Sequence, residues 1–289
     1  MAIHPAINSM LKSHRSLTTP KDEQNALKEI IQKICLLGLH RENFFTRAAF
    51  YGGTALRMIY GLERFSEDLY FCLDQPNFDF RWAGYKQALE SELELYGFDA
   101  QMDVKKDDSE SAISSVFIKQ STLKGLLLIE SKTKTSKYDL IKVRLELDKT
   151  NPPGATFENK MITQPEPFMI RTLDQPSLFA GKMHAIIARQ YANRVKGRDY
   201  FDLLFYISRG TKINLTYLSN KLKDSAHLDP SAVLTEQKLR EIYLTKISTV
   251  NFKQAASDVS PYLRSAQIDS LKSWNVEFFA AMSEHLRGN

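Results

Sequence analysis

Cysteine is scarce in this chain: Cys35 and Cys72 are the only two among 289 residues. Two isolated thiols supply neither a disulfide framework nor the paired spacing of a zinc site. No run of about 18 apolar residues occurs, which is the length that a membrane-spanning helix needs. Residues 1–16 also lack the apolar core of a signal peptide. We therefore expect a soluble, cytoplasmic protein that has no membrane partner.

The remaining composition is that of an ordinary globular chain, with 43% hydrophobic and 25% charged residues. The length suits one large domain or two modest ones. The formal net charge of +5 favours a polyanionic partner such as a nucleic acid. Many cytosolic proteins are equally basic, so charge alone does not decide the partner.

Hydrophobic periodicity divides the chain near residue 150. We predict an α+β fold, with a mixed sheet flanked by helices over residues 1–150 and a mainly helical region over residues 151–289, where NPPG at 151–154 breaks the pattern. In the first part the patterns predict helices at 21–39, 55–62 and 80–96 and strands at 48–51, 68–74, 98–104, 114–120, 123–131 and 137–148. In the second part they predict helices at 176–193, 198–208, 215–224, 235–246, 252–263 and 270–286.

A double glycine, Gly52-Gly53, separates the strand at 48–51 from a helix that we expect Thr54 to cap. Glycines at such a junction let backbone N–H groups approach an anion, and the helix N-terminus adds partial positive charge. Arg57, one turn into the helix, can reach the same anion. Taken alone, a double glycine is more often a tight turn.

Two strands carry carboxylates on their polar faces. Asp68 opens a strand in which Leu69 and Phe71 alternate with it and with Tyr70. A carboxylate beside a phosphate-binding turn is what magnesium-dependent phosphoryl or nucleotidyl transfer requires. An exposed aspartate at a strand end is the equally plain alternative. Glu146 lies on the polar face of the strand at 137–148.

The helical half adds a lysine and two aspartates. Lys182 precedes Arg189 by seven residues, which places both on one face of a helix. Such a lysine is usually a surface residue with a buried stem, although it also suits a triphosphate. Asp199 and Asp202 lie three residues apart at a helix start, where acidic residues favour the helix dipole.

Four blocks in this order, GGTALR at 52–57, RFSEDL at 64–69, Lys182 on its helix and KGRDYFDL at 196–203, resemble the AbiEii/AbiGii-type nucleotidyl transferase toxins. That family belongs to the DNA polymerase beta-like nucleotidyltransferase superfamily, and the resemblance covers about residues 22–208. It implies a bacterial enzyme that uses Mg²⁺ to transfer a nucleoside monophosphate from an NTP to an RNA acceptor, for which tRNA is one candidate. A cognate antitoxin would hold it in check.

The resemblance also implies roles for individual residues. Asp68 matches the first carboxylate of the family's D-x-D pair, Glu146 a third carboxylate of the superfamily, and Asp199 the acidic residue of the last motif, so these three are the expected catalytic residues. Asp68 and Glu146 are the expected metal ligands. The residues expected to contact the nucleotide are Gly52, Gly53, Thr54, Arg57, Ser66 and Lys182.

The chain departs from the family pattern at Tyr70, where the D-x-D pair has its second aspartate. A phenol with a pKa near 10 is a poor magnesium ligand at neutral pH. A metal site would therefore depend on Asp68, Glu146 and substrate oxygens. The alternative is an impaired transferase that binds nucleotide or RNA without turnover. A purely structural module is a third interpretation, against which Lys182 and Asp199 argue.

The order of these elements predicts an architecture. The strand before the double glycine and the strands of Asp68 and Glu146 should lie side by side in one mixed sheet. The helices over 176–208 should complete the active-site cleft.

Overall fold

The computed structural model describes residues 4–14, 20–104, 122–131, 141–190 and 194–289. Its strands are β1 (Ala48–Tyr51), β2 (Leu69–Leu73), β3 (Phe98–Val104), β4 (Thr122–Ser131), β5 (Ile141–Asp148), β6 (Phe157–Ile162) and β7 (Phe168–Leu173). Its α-helices are α1 (Pro5–Ser13), α2 (Pro20–Arg41), α3 (Gly52–Tyr60), α4 (Lys86–Leu95), α5 (Gln175–Ala188), α6 (Gly197–Ser208), α7 (Leu215–Asp224), α8 (Glu236–Ile247), α9 (Phe252–Val259), α10 (Ser265–Ile268) and α11 (Val276–Ala281). Short 3₁₀ turns occur at Phe44–Thr46, Trp82–Tyr85, Ser260–Tyr262, Asp269–Ser273 and Met282–His285.

Most elements predicted from periodicity are confirmed, because the apolar spacing of each is set locally. Several predictions need correction. The helix predicted over 176–193 ends at Ala188, that over 252–263 is α9 followed by a 3₁₀ turn, and that over 270–286 is α11 between two 3₁₀ turns. β6 and β7 lie where no strand was predicted. α3 begins at Gly52, three residues before the start that a Thr54 cap implies, so Thr54 lies inside the helix and does not cap it. The helix predicted over 80–96 is a 3₁₀ turn followed by α4. The strand predicted at 114–120 lies outside the described residues.

The strands form one mixed seven-stranded sheet in the order β3-β4-β5-β2-β1-β7-β6. β1 pairs antiparallel with β2, placing Tyr51 opposite Tyr70. β2 pairs in parallel with β5, placing Tyr70 level with Glu146. The predicted neighbourhood of these three strands is therefore confirmed.

The chain forms two compact units. The first comprises Met1–Ile59, Ser66–Asn151 and Glu158–Thr172, and the second comprises Tyr60–Phe65, Pro152–Phe157 and Leu173–Asn289. β6 and β7 follow the boundary that the sequence predicted at residue 150, yet they belong to the sheet. Proline and glycine at 151–154 interrupt the strand pattern without ending the first unit.

The first unit packs one side of its sheet against helices. Ile141, Val143, Leu145 and Leu147 of β5 are buried, whereas Lys142 and Arg144, on the alternate positions, are exposed. The buried side chains share one apolar core with Ile30 and Ile34 of α2. Burial of this apolar surface stabilises the sheet at about 25 cal/mol per Å². The alternate positions form a polar face that carries Tyr70 of β2 and Glu146 of β5.

The second unit is a cluster of helices around α5 and α6. Phe179 of α5 stacks on Tyr206 of α6 with ring centroids 4.5 Å apart, and Phe252 of α9 stacks on Phe279 of α11 at 4.4 Å. Offset stacking of this kind adds about 1 kcal/mol per pair beyond area burial. No helix in the described part of the chain is both long enough and apolar enough to cross a membrane.

Candidate functional site

Gly52 forms the turn between β1 and α3 with a φ of +83°. Residues with a Cβ rarely adopt this left-handed region. A Cβ added at Gly52 would also lie 3.2 Å from Cδ2 of Tyr70, which is tighter than ordinary packing. Both the backbone conformation and the contact with Tyr70 therefore require glycine here, and the start of α3 lies directly against the Tyr70 ring.

Thr54 links the first turn of α3 to the segment that leads into β2. Its side chain is fully buried, and its hydroxyl lies 2.8 Å from the hydroxyl of Ser66 and donates to the backbone carbonyl of Asp68. Gln32 of α2 donates to the carbonyl of Ser66 at 3.3 Å. Thr54 and Ser66 therefore hold the backbone at Asp68 against the start of α3. The observed role of Thr54 is to position Asp68, because its hydroxyl is used within the protein.

Asp68, Tyr70, Arg144 and Glu146 share the polar face of β2 and β5. The Tyr70 hydroxyl donates to Oδ2 of Asp68 at 3.3 Å, and Nη1 of Arg144 lies 3.4 Å from Oε1 of Glu146. Desolvation lowers the pKa of Arg144, but Asp68 and Glu146 outweigh that effect and raise the pKa above its ordinary value. A guanidinium therefore lies beside both carboxylates that the sequence singled out.

Arg57 is held in an ion pair. Its Nε lies 2.6 Å from Oε2 of Glu29 in α2, and only 10% of the arginine side chain is exposed. Burial raises the pKa of Glu29, but Arg57 and Lys33 together bring it below its ordinary value. The observed role of Arg57 is to tie α3 to α2. The phosphate contact predicted for it would require that ion pair to open.

The polar face offers oxygen ligands of the kind that magnesium takes. Within the described residues, no three histidine, cysteine or acidic side chains lie close enough together to hold a metal ion. Asp68 and Glu146 nevertheless supply two carboxylates on one face. Magnesium is commonly bound through one or two carboxylates together with the phosphates of its nucleotide. The donor chemistry thus fits a magnesium ion that arrives with an NTP.

In the second unit, Lys182 lies within a network of buried charges. Its Nζ is 2.7 Å from Oδ1 of Asp199 and 2.8 Å from Oδ2 of Asp202. Asp202 also receives two hydrogen bonds, of 2.6 and 2.7 Å, from the buried Arg64. Asp199 also accepts from Arg189, whose side chain is 47% exposed. The two carboxylates thus hold the lysine from two sides.

The network fixes the protonation state of its carboxylates. Burial raises the pKa of Asp199, but Lys182 and Arg189 overcome this effect and lower the pKa to about 2. The pKa of Asp202 is lowered in the same way by Arg64 and Lys182 against its burial. A general base works best with a pKa near the operating pH. The geometry therefore favours an orienting role for Asp199 over proton abstraction.

Neither Arg64 nor Asp202 was among the expected catalytic, metal-binding or nucleotide-binding residues. Both lie inside the quoted blocks, RFSEDL and KGRDYFDL, but 138 positions separate them. The sequence does show that each is a charged residue beside an apolar one, and that the two charges are of opposite sign. This pattern indicates that an ion pair between them is possible without identifying the partner. Gly197 was missed as well: a Cβ there would lie 1.8 Å from the carbonyl oxygen of Ala255, so α6 can start against α9 only with glycine.

The fold resembles two solved structures from Helicobacter pylori. The first, JHP933, has a TM-score of 0.51 and 19% identity, with 91% of each chain covered. The second, a candidate nucleotidyltransferase, has a TM-score of 0.48 and 18% identity, and the match covers 91% of this chain and 94% of the other. No curated protein matched the sequence.

The fold class expected from the sequence, α+β with a mixed sheet and a helical C-terminal region, is confirmed. The chain belongs to the family of the nucleotidyl transferase AbiEii toxin of type IV toxin–antitoxin systems, whose family model matches residues 34–280. The family resemblance seen in the four sequence blocks is therefore confirmed over most of the chain.

Proposed function

We propose that this protein is a magnesium-dependent nucleotidyltransferase of the bacterial cytoplasm that transfers a nucleoside monophosphate from an NTP to an RNA acceptor, with tRNA as one candidate. As the toxin of its pair it would be restrained by a cognate antitoxin. The observation that carries the proposal is the pairing of the adjacent strands β1, β2 and β5. The Gly52 turn directly follows β1, Asp68 directly precedes β2, and Glu146 lies in β5. Family membership supplies the reaction class.

The first unit would bind the phosphates and the metal. The backbone N–H groups of Gly52 and Gly53 start α3 and would donate to phosphate oxygens, assisted by the helix dipole. Asp68 and Glu146 would hold magnesium, which when bound neutralises triphosphate charge and activates the attacking oxygen. Thr54 and Ser66 would keep Asp68 in place.

The second unit would supply a cation for the triphosphate. Lys182 would bind phosphate oxygens as a compact charge. Asp199 and Asp202 fix its ammonium from two directions, so little side-chain entropy remains to be lost on binding. The low pKa of Asp199 keeps it ionised at neutral pH, which preserves this orientation.

One observation favours a second candidate, an impaired enzyme that binds nucleotide or RNA without turnover. Tyr70 occupies the place of the second aspartate, and Arg144 lies beside the remaining carboxylates. A guanidinium near both carboxylates competes electrostatically with a divalent cation. Both candidate functions predict that the protein binds nucleotide or RNA, but only the first predicts transfer of a nucleoside monophosphate.

The experiment is transfer of label from each α-³²P-labelled NTP to total tRNA in the presence of Mg²⁺. We expect label on RNA with wild-type protein and its loss in Asp68→Asn and Glu146→Gln. Asp99→Asn serves as a matched control, because Asp99 is an exposed carboxylate in β3. NTP binding without transfer would support the impaired enzyme. Transfer that survives both site variants would overturn the site assignment.

A further inference from the structure

Cations cluster around the start of α6 in the second unit. Arg194, Lys196 and Arg198 lie within five residues, and Arg189 closes the preceding helix. Lys246 of α8 reaches the same place, since its ammonium donates to the backbone carbonyl of Arg189. We call these five residues the basic patch.

Carboxylates contact the basic patch at two of its arginines. Arg194 pairs with Asp258 of α9, and Arg189 pairs with Asp199, which also serves Lys182. Burial lowers the pKa of Lys196, and the neighbouring Arg194, Arg198 and Arg189 lower it further. That effect shows that the positive charges lie close enough to repel one another. The patch therefore presents a positive potential.

A shallow cavity of about 360 Å³ adjoins the patch. Its lining residues are Arg194, Gln254, Ser257, Asp258, Pro261 and Tyr262. The guanidinium of Arg198 lies 4.4 Å from the centroid of the Tyr262 ring. An amide, a hydroxyl and the carboxylate of Asp258 thus line the same cavity as an aromatic ring and a guanidinium, and that carboxylate is paired with Arg194.

We propose that the basic patch is a docking surface for the phosphate backbone of single-stranded RNA, with a base stacked against Tyr262 or Arg198. Surfaces that hold single strands combine a line of cations with aromatic or guanidinium planes on which bases stack. Three of the five cations are arginines, whose planar forks match phosphate oxygens in pairs.

The patch is continuous with the lysine proposed to bind the triphosphate. Arg189 and Lys182 contact the same carboxylate, that of Asp199. A strand bound along the patch would thus lead toward Lys182. This inference rests on the proposed function only in naming RNA as the ligand, because docking of a phosphate backbone requires neither an NTP nor turnover.

The test is fluorescence anisotropy of a labelled single-stranded RNA oligonucleotide, without NTP or Mg²⁺, over a range of KCl concentrations. The variant removes three charges: Arg194→Gln, Lys196→Gln and Arg198→Gln. Each phosphate contact on a single strand contributes about 0.7 to the slope of log affinity against log salt, so the slope should fall by about 2. The affinity near 0.1 M salt should fall at least about tenfold.

The matched control removes the same number of charges from exposed lysines of the second unit, in Lys212→Gln, Lys238→Gln and Lys272→Gln. Its slope and affinity should stay near wild type. Because Arg194 pairs with Asp258, which accepts from the Gly197 N–H at 2.9 Å, the triple variant could lose its fold. The double variant Lys196→Gln/Arg198→Gln keeps that pair and should lower the slope by about 1.4.

Stacking is tested separately. Tyr262→Leu should weaken RNA binding about tenfold with an unchanged salt slope, and Tyr262→Phe should retain it. If folded patch variants bind RNA as the lysine control does, the inference is wrong. The inference is also wrong if the patch variants still bind RNA and have lost only the binding of an acidic protein partner. Failure of NTP transfer with intact RNA binding would refute the proposed reaction and leave the docking surface standing.

Discussion

The hydroxyl of Tyr70 donates a hydrogen bond to the carboxylate of Asp68, two residues earlier, across 3.3 Å. The position at which the sequence resemblance led us to expect a second carboxylate is thus occupied by a donor that contacts the first. A phenol that donates to Asp68 competes with any metal for one of its oxygens. The ring also packs against Gly52, so Tyr70 couples the turn to the carboxylate.

Substitutions of Tyr70 distinguish two roles: a residue that stands in place of a metal-binding carboxylate, and a ring on which a base stacks. Tyr70→Asp removes the phenol and adds a carboxylate on the face of Asp68, so Mg²⁺ affinity should rise and NTP transfer to RNA should appear or increase. Tyr70→Phe removes only the donor and should release Asp68 without adding a ligand. Magnesium titration and the transfer assay measure both. If Tyr70→Asp instead loses nucleotide or RNA binding that Tyr70→Phe keeps, the ring serves as a stacking surface.

Gly52 can be tested against a glycine of similar conformation. Gly52 and Gly97 have φ values of +83° and +88°, but a Cβ at Gly97 would meet nothing within 4 Å. Gly97→Ala should therefore cost only the backbone strain, about 1–2 kcal/mol. Gly52→Ala should cost more, because Tyr70 must also move, and it should weaken NTP binding. Urea unfolding measures the loss of stability, and calorimetry measures the NTP affinity. Equal losses of stability in the two variants with unchanged NTP binding would show that Gly52 does not contribute to nucleotide binding.

Lys182 should matter for folding as well as for binding. Lys182→Ala leaves two buried carboxylates short of a cation, and breaking such a pair costs about 3 kcal/mol. The double variant Lys182→Ala/Asp199→Asn should recover part of that loss, because it removes one of the carboxylates. Thermal unfolding of the single and double variants measures this coupling. Additive losses would show that Lys182 and Asp199 do not stabilise one another.

A charge-preserving change separates binding from stability at the same position. Lys182→Arg should retain most of the stability of the network, since a guanidinium also pairs with carboxylates. If Lys182 binds the triphosphate as a compact ammonium, NTP affinity should still fall about tenfold or more in this folded variant. Unchanged affinity would refute recognition of the triphosphate by a compact ammonium, since a guanidinium would then serve equally well.

The low pKa of Asp199 predicts how stability depends on pH. Its folded value of about 2 lies below the ordinary 3.8, so its contribution is present above pH 3.8 and is lost as the pH falls through 2. The difference corresponds to about 2 kcal/mol, of which about 1 kcal/mol should already be lost at pH 3. Urea unfolding of wild type and Asp199→Asn between pH 5 and 3 should show the gap between them narrowing. A constant gap would contradict the assignment.

Local patterns predicted the parts of the site that neighbouring residues determine. The strand before Gly52 follows from a short apolar run, and the polar position of Glu146 follows from alternation over a few residues; the sheet register confirms both strands. Pairings between distant residues could not be predicted in this way. Arg57 is 28 positions from Glu29, and only packing of α3 on α2 brings them together. The phosphate role expected for Arg57 therefore overlooked a partner that the sequence does not identify.

Burial was the second property that the sequence could not supply. Asp199 and Asp202 both suit a helix start, and the helix dipole accounts for them equally well. They differ from surface aspartates because they are surrounded by cations: Lys182 of α5 and Arg64 of the loop before β2. Such a network is defined by three-dimensional proximity, so a single sequence leaves it open.

The short segment 60–65 gives the chain an interwoven connectivity with practical consequences for protein engineering. This segment leaves the sheet unit after α3, contributes Arg64 to the buried charges of the second unit, donates from the Phe65 N–H to the Tyr262 carbonyl at 3.1 Å, and returns to β2. A fragment that starts at Leu173 would contain Asp202 without the arginine that neutralises it. Exchange of the helical unit between relatives by a single crossover would combine Arg64 of one protein with Asp202 of the other. Recombination of these proteins must therefore carry residues 60–65 together with the C-terminal part.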